Sequence, residues 1–540
     1  NGGTLSDDVS VSGGSLSSSG SIGGKLDVSE GEARIDGSVS GAVDVSGGSL
    51  EAGKDSALKG GLGVSGGSAE TAGTVSGGVS VTGGRYDNSG SVSDGLDLAD
   101  GTVGNTGTIG GAVTVGGGTL TNGGTLSDDV SVSGGSLSSS GSIGGDLDVT
   151  GGTATNSGRV GGKSSVGSGG VLVSEGGRFG DDLTIEGDTG SGAGTLRLSG
   201  TTTVAGDVTN DGSIETAGGK DTALNLTDGG GFTNNGSITA EDGSLTVAAD
   251  TITISDGASM KGDIDFVGAV VNKGELDLEN DLRDTLRTDE DGETRIVASL
   301  DGAGNDVENA GRLELGAGLS FTGVGQVSNS GTVEIGANGR LQAERIENAG
   351  RLNLGAGAAL EGTGNTLENT GTITVGDGGS VTDAGAIENR ETGLIEFTGG
   401  GTIASDSDQS GDEPIRNAGR IVTADDGDDT AEARLIDFGI ARSARLSEEE
   451  APGTFAGKLK YVAPEQLGHF GGHVGPETDI YGLALLVGAA LSGRALPMGN
   501  SIEEAAERRR RVPDLSGVSS GLRPLLTHML EPDPAARPAS

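Results

Sequence analysis

The chain contains no cysteine and no tryptophan, and only 3 tyrosines, 8 phenylalanines, 3 histidines and 10 prolines in 540 residues. Without cysteine there is neither a disulfide framework nor a thiolate metal site. With aromatic residues at 2% of the composition, large core side chains are scarce, which is not how an ordinary globular enzyme is built. Positive charge is scarce too: 34 Lys and Arg stand against 79 Asp and Glu, a formal net charge of −45. A surface of that sign repels phosphate backbones and anionic lipid, so no nucleic-acid partner is expected. Long apolar runs are also missing. The longest, Ile480 to Leu491, is a dozen residues where a membrane span needs about 20, so it predicts a buried helix and no transmembrane segment. The sequence opens on Asn1 rather than Met and stops at Ser540, and so reads as a fragment in which the lack of a signal peptide carries no information.

What is abundant is glycine, 110 residues with no three-residue period, which together with so little proline excludes collagen. Dividing the chain at Arg434 places 97 glycines in the first 433 residues and 13 in the last 107. The same cut puts nine of the 10 prolines, all three histidines (His469, His473, His528) and five of the 11 aromatics on the C-terminal side of Ala433. The N-terminal side carries 22 Lys and Arg against 66 Asp and Glu. Two physically different polypeptides are joined.

The N-terminal part repeats. Asn1 to Gly24 recurs letter for letter as Asn122 to Gly145, the mark of an internal duplication. Within it runs a 17-residue unit, such as GTVSGGVSVTGGRYDNS from Gly73, with similar units from Gly90, Gly107, Gly124 and Gly141. Its apolar sites are Val75, Val79 and Val81, then Val92, Leu96 and Leu98, then Ile109, Val113 and Val115. A spacing of two puts each pair on one face of a strand, and glycines at fixed offsets supply the corners. A few Val or Leu side chains at about 1.5–3 kcal/mol each barely offset ordering costs of about 1–2 kcal/mol per residue. Isolated units therefore cannot fold, whereas stacked coils bury their apolar stripe against one another. From about Asn210 the unit lengthens and begins with Asn, at Asn210, Asn272, Asn309, Asn329, Asn348, Asn369 and Asn417. Stacked Asn turns can form a hydrogen-bonded ladder, a structural and not a catalytic arrangement. A disordered acidic chain is the alternative, but disorder does not require apolar sites in phase.

The predicted fold is mainly β: a long, repetitive parallel β-helix (β-solenoid) over residues 1–425, with coils of 17–20 residues. Some two dozen coils at a spacing of about 4.8 Å would make a rod roughly 100 Å long. These Gly/Ser/Thr/Asn-rich units resemble the passenger regions of bacterial autotransporters and related surface adhesins. The resemblance implies a secreted or outer-membrane surface location and a surface or matrix ligand, with no cofactor. The acidic clusters Asp425, Asp426, Asp428, Asp429 and Asp289, Glu290, Asp291 match no calcium-loop spacing and are expected to be solvated surface charge.

After an acidic junction at 426–433 the vocabulary changes. Arg434-Leu-Ile-Asp-Phe-Gly-Ile-Ala-Arg442 is a short apolar strand leading into Asp437, Phe438 and Gly439. There follow Ala463-Pro464-Glu465, an apolar helix opened by Asp479, and Leu530-Glu-Pro-Asp-Pro-Ala-Ala-Arg537-Pro. Four motifs in this order resemble the C-terminal part of a bacterial Hanks-type Ser/Thr protein kinase. The resemblance implies a small, mostly α partial kinase C-lobe over residues 434–540, with a cytoplasmic location, Mg²⁺ and ATP as cofactors and a protein substrate. It carries roles residue by residue. Asp437 matches the Mg²⁺-holding Asp, with Phe438 and Gly439 as the packing and hinge positions beside it. Ser443, Ser447 and Thr454 lie in the activation segment. Ala463 and Pro464 lead into Glu465, which matches the acid of a buried ion pair with Arg537. Asp479 matches the Asp that steadies the catalytic loop.

Upstream of Asp437, however, there is no Gly-rich phosphate loop, no strand lysine with a partner Glu and no H-R-D loop. Asp412 and Asn417 have the spacing of a catalytic loop, but Arg416-Asn-Ala-Gly-Arg-Ile421 repeats the solenoid's own Glu347-Asn-Ala-Gly-Arg-Leu352. Half of the positioning groups of phosphoryl transfer are absent, so no activity is expected of the chain as it stands. Two smaller features read blandly. Arg508 to Arg511 close a helix capped by Ser501 and are expected to be a solvated basic end. His469 and His473, with no third ligand nearby, are expected to be loop residues. Three readings follow: a surface rod, a kinase whose N-lobe and catalytic loop are missing or supplied elsewhere, and a product of gene rearrangement with no single function.

Overall fold

The structure is a computed structural model that describes residues 1–364, 366–383, 385–405, 415–423, 461–492, 496–499, 501–516, 518 and 521–538. The chain divides into two compact units, Asn1–Arg434 and Leu435–Ser540. The first is a parallel β-solenoid of about 21 turns.

Each early coil carries three strands, as in Thr108–Ile109, Val113–Val115 and Thr119–Asn122. Each of these pairs in parallel with its equivalent 17 residues on: Ile109 with Leu126, Val113 with Val130, Leu120 with Leu137. The register follows from the side chains. Alternation places Ile109, Val113, Val115 and Leu120 inside, all at most 1% exposed, and sends Thr114 and Thr119 out. Parallel stacking satisfies the backbone of every short strand through the coils above and below, and one continuous core runs from Val11 to Phe397.

The step between coils is not constant. It shrinks to 16 residues between Asn272 and Thr288 and stretches to 28 between Asn389 and Asn417, which is why the coils are slightly fewer than two dozen. From Glu275 onward one track forms its own eight-stranded sheet, ending at Arg420–Thr423.

Two asparagine ladders line the core. The later one lies in the middle track, where Asn309, Asn329, Asn348, Asn369 and Asn389 each donate from Nδ2 to the Oδ1 of the next Asn at 2.7–2.8 Å, ending at Asn417. The earlier one, in the third track, joins Asn88, Asn105 and Asn122 and ends on the Ser139 hydroxyl. The expected ladder covers only the later one, although Asn88-Ser-Gly90, Asn105-Thr-Gly107 and Asn122-Gly-Gly124 show the same Asn-x-Gly spacing as Asn210-Asp-Gly212 and Asn309-Ala-Gly311. The ladder breaks where a residue other than Asn occupies a rung: Thr288 between Asn272 and Asn309, and two isoleucines. Ile185 precedes Asn210 and Ile254 follows Asn234, and the facing atoms, Asn210 Oδ1 and Asn234 Nδ2, have no partner among the described residues.

In the second unit, helices α1 (Pro476–Ser492) and α3 (Arg523–Met529) pack around Tyr481, Ala484, Leu485, Leu515, Leu526 and Leu530, and α2 (Ile502–Arg508) lies against the turn Pro464–Leu467. No helix among the described residues is long and apolar enough to cross a membrane. The apolar run of α1 is not fully buried as expected: Leu483 and Leu486 are exposed on the face opposite Tyr481 and Leu485, and Leu491 is exposed near the helix end. The core of this unit covers only one side of a helix that is apolar all round.

Candidate functional site

Two of the C-terminal motifs, Ala463-Pro464-Glu465 and the one that contains Arg537, meet in one buried ion pair. Ala463 is sealed, and its N–H donates to Gln466 Oε1 at 2.8 Å, holding the chain at the entry to the 3-10 turn Pro464–Leu467. That turn points Glu465 inward. Arg537, just beyond the turn Pro534–Ala536, reaches it with two parallel bonds, Nη1 to Oε1 at 2.6 Å and Nη2 to Oε2 at 2.9 Å. Neither side chain has any solvent exposure.

A charge pair without water requires that every remaining donor and acceptor be matched. Thr478 Oγ1 donates to Glu465 Oε1 at 2.8 Å. Arg537 also donates to the carbonyls of Glu477, Glu531 and Pro532 at 2.8–2.9 Å and lies 4.6 Å from the centre of the Tyr481 ring. Burial pushes the Tyr481 phenol up to about 12, and its hydroxyl has no partner among the described residues. The network ties the first turn of α1 to the end of the described chain.

Arg509 corrects the expectation of a solvated basic helix end. Its side chain is fully buried and donates to the carbonyls of Val462, Met498 and Ala505, while burial holds its pKa below the usual guanidinium range. Arg508 and Arg510 do lie at the surface, paired with Glu504 and Glu507. A run of four arginines carries no sign of which one turns inward; the α-helical phase of Ala505 and Arg509, four residues apart, is the signal that could have found it.

Asp479 sits in the first turn of α1 and is exposed. His469 and His473 lie in a glycine-rich loop where Phe470 takes a left-handed φ of 52°. Asp437, Phe438, Gly439, Ser443, Ser447 and Thr454 lie outside the described residues, as do the junction 426–433 and the acidic cluster at Asp425–Asp429. The described residues hold no group of three or more His, Asp or Glu side chains able to hold a metal ion. Residues 461–540 contain no lysine, and Glu465 is committed to Arg537. The described residues therefore do not by themselves fit Mg²⁺ and ATP.

Two open grooves lie on the solenoid. The larger, about 590 Å³, runs along Asp44, Gly61, Gly78 and Asp97, and a second, about 490 Å³, along Glu308, Asn329, Glu347 and Glu368. Asp289 is paired with Arg287 at 2.8 Å.

Comparison with known proteins bears on the C-terminal segment alone. The protein kinase domain family matches residues 423–540. Over 121 residues the chain is 36% identical to the probable serine/threonine-protein kinase PkwA of Thermomonospora curvata, an overlap of 22% of this chain and 15% of that protein. No solved structure matches. The chain thus ends in a protein-kinase-like segment that follows a β-solenoid.

Proposed function

We propose that the chain is a structural β-solenoid of the surface-display type joined to an incomplete Ser/Thr kinase segment, and that it does not transfer phosphate as it stands. One observation carries this reading. The residues just ahead of the kinase-like segment are used as solenoid coil: Asn389 Nδ2 donates to Asn417 Oδ1 at 2.7 Å, and Arg420–Thr423 pairs with Leu394–Phe397. A catalytic loop cannot be made from residues that serve as ladder rungs and strands. In this reading the Glu465–Arg537 pair is a retained scaffold element, Asp437 is the one Mg²⁺ ligand carried over, and the solenoid is the adhesive part.

A second reading is favoured by the bare face of α1. Leu483 and Leu486, 49% and 43% exposed, follow Asp479 along one stripe, as they would if the ATP-binding lobe and catalytic loop were supplied from outside the chain. Purified protein incubated with radiolabelled Mg²⁺-ATP and a generic protein acceptor separates the two. The first reading expects no label above background; transfer that disappears in Asp437→Ala would replace it with the second.

A further inference from the structure

The residue ahead of the middle strand of each coil forms a column at one corner of the solenoid, from Asp8 and Lys25 to Asp207 and Gly231. Where that residue is Asp, its Oδ1 accepts the N–H of the column residue one coil on. Asp8 takes Lys25 at 2.8 Å, Asp129 takes Asp146 at 2.9 Å and Asp146 takes Lys163 at 2.8 Å, and Asp182 and Asp207 do the same for Asp207 and Gly231. Asp129 and Asp182, whose preceding column residues are Ala112 and Lys163, instead bond the carboxylates of Asp128 and Asp181 just before them. All of these column amides hold an aspartate oxygen.

Five consecutive amides hold none. The N–H groups of Ala42, Gly61, Gly78, Gly95 and Ala112 have no acceptor among the described residues, because the preceding column residue is Lys, Ala or Gly and brings none. The same five residues line the groove of about 590 Å³. The groove is thus the stretch of corner from which the carboxylates are missing, with amide rungs about 4.8 Å apart. Its neighbouring strand positions are Asp44, Gly63, Ser80, Asp97 and Thr114, so three of the five rungs have no acid beside them. Lys25 stands one coil before Ala42 and Lys59 two residues before Gly61; both are exposed and, unlike Lys54 and Lys163, have no ion pair among the described residues. Carboxylates on adjacent rungs are tolerated despite the charge of the rod, as Asp129 and Asp146 show.

We propose that this groove binds aspartate side chains of a partner peptide, each carboxylate accepting one of the free corner N–H groups as the chain's own aspartates do at the filled rungs. Such bonds are charge-assisted, and rows of backbone N–H groups form anion-binding concavities. The binding gives the solenoid's adhesive role a ligand class and rests on that role for its setting alone. Its failure would leave the phosphate-transfer result standing, and the reverse holds equally.

The full chain is titrated into a fluorescein-labelled tetra-aspartate peptide blocked at both ends, in about 150 mM salt, where a Debye length of about 8 Å screens the overall charge of the rod. Saturable binding is expected. Gly78→Asn and Gly78→Asp each offer an acceptor to the Gly95 N–H, and a Cβ at Gly78 has room, its nearest contact being 3.5 Å away. Ala42→Asn does the same for the Gly61 N–H at a residue that already has a Cβ, and decides the matter if the Gly78 variants fail to fold. Each variant should weaken binding about tenfold, the loss of one charge-assisted bond, without lowering the melting temperature. Unlabelled tetra-asparagine should not compete. Absence of saturable binding, equal binding by the folded variants, a loss with Gly78→Asp that Gly78→Asn does not share, competition by tetra-asparagine, or binding confined to a galacturonate tetramer would each overturn the proposal.

Discussion

A Cβ at Gly124 would lie 2.1 Å from the Gly107 carbonyl oxygen, whereas at neighbouring Gly123 its nearest contact would be 3.9 Å away. Neither has a left-handed φ, so the difference is one of space alone. Gly124→Ala should therefore lower the stability of the solenoid by about 1–3 kcal/mol, the usual range for overpacking, and Gly123→Ala should be close to neutral in parallel thermal melts. The left-handed corners are another set, running through Gly84, Gly101, Gly118 and Gly135. Both sets look alike in the sequence. The repeat shows that glycine is required, but only the distance to the coil beneath separates the indispensable one from its neighbour.

Asp383 is the second residue whose role depends on its surroundings. It ends the strand Gly379–Asp383 with its side chain turned into the core, 2% exposed. Oδ1 accepts the Gly385 N–H at 2.7 Å, and Oδ2 has no partner among the described residues. Burial pushes the carboxyl up to about 6, against the pull of the Gly385 and Leu367 N–H groups. The folded state therefore holds this proton more tightly than the unfolded chain, where the value is about 3.9. Its contribution to stability is complete below about pH 4 and is lost as the pH rises through about 6. Compared with Asp383→Asn, the natural chain should lose up to about 3 kcal/mol between pH 4 and pH 7, read as the difference between the two melting curves.

At the scale of elements, periodicity carried most of the information. Apolar pairs two apart, repeated at 17 residues, specify strand, face and register together, so Val79, Val81, Leu96 and Leu98 are core residues in the sequence and in the fold. The C-terminal unit was less legible, because its elements are held by contacts distant in sequence. Glu465 and Arg537 are 72 residues apart and share no local pattern, so the family resemblance and not periodicity is what pairs them in the sequence. Removing one partner leaves an uncompensated buried charge, so Arg537→Ala should cost about 3–5 kcal/mol. Hydrogen exchange at Tyr481 to Leu485 in α1 should then rise towards the unfolded rate, while the solenoid amides stay protected. Arg537→Lys, which keeps the charge but not the two-pronged geometry, should fall between the two.

For the whole molecule, charge sets the terms. The N-terminal 433 residues hold 66 acids against 22 bases. Some bases are shared, as at Arg312, whose guanidinium meets Glu293, Glu314 and Glu334. Exposed pairs of this kind are worth only about 0–1 kcal/mol each, so the surplus carboxylates remain mutually repulsive. Raising the salt from about 10 mM to about 150 mM shortens the Debye length from about 30 Å to about 8 Å. The melting temperature of the solenoid should rise over that range, opposite to the response of a protein held by surface ion pairs.

Composition and repeat by themselves determined the solenoid, because each coil is a local pattern whose only partners are near-copies of itself. The motifs of the last 107 residues likewise identified the kinase-like segment without reference to shape. The tertiary structure alone decided where the asparagine ladder breaks, how Asp383 is sealed from water, and that one face of α1 stays open. Each of these depends on what lies across the core or one coil away, and a residue's neighbours along the chain do not supply that.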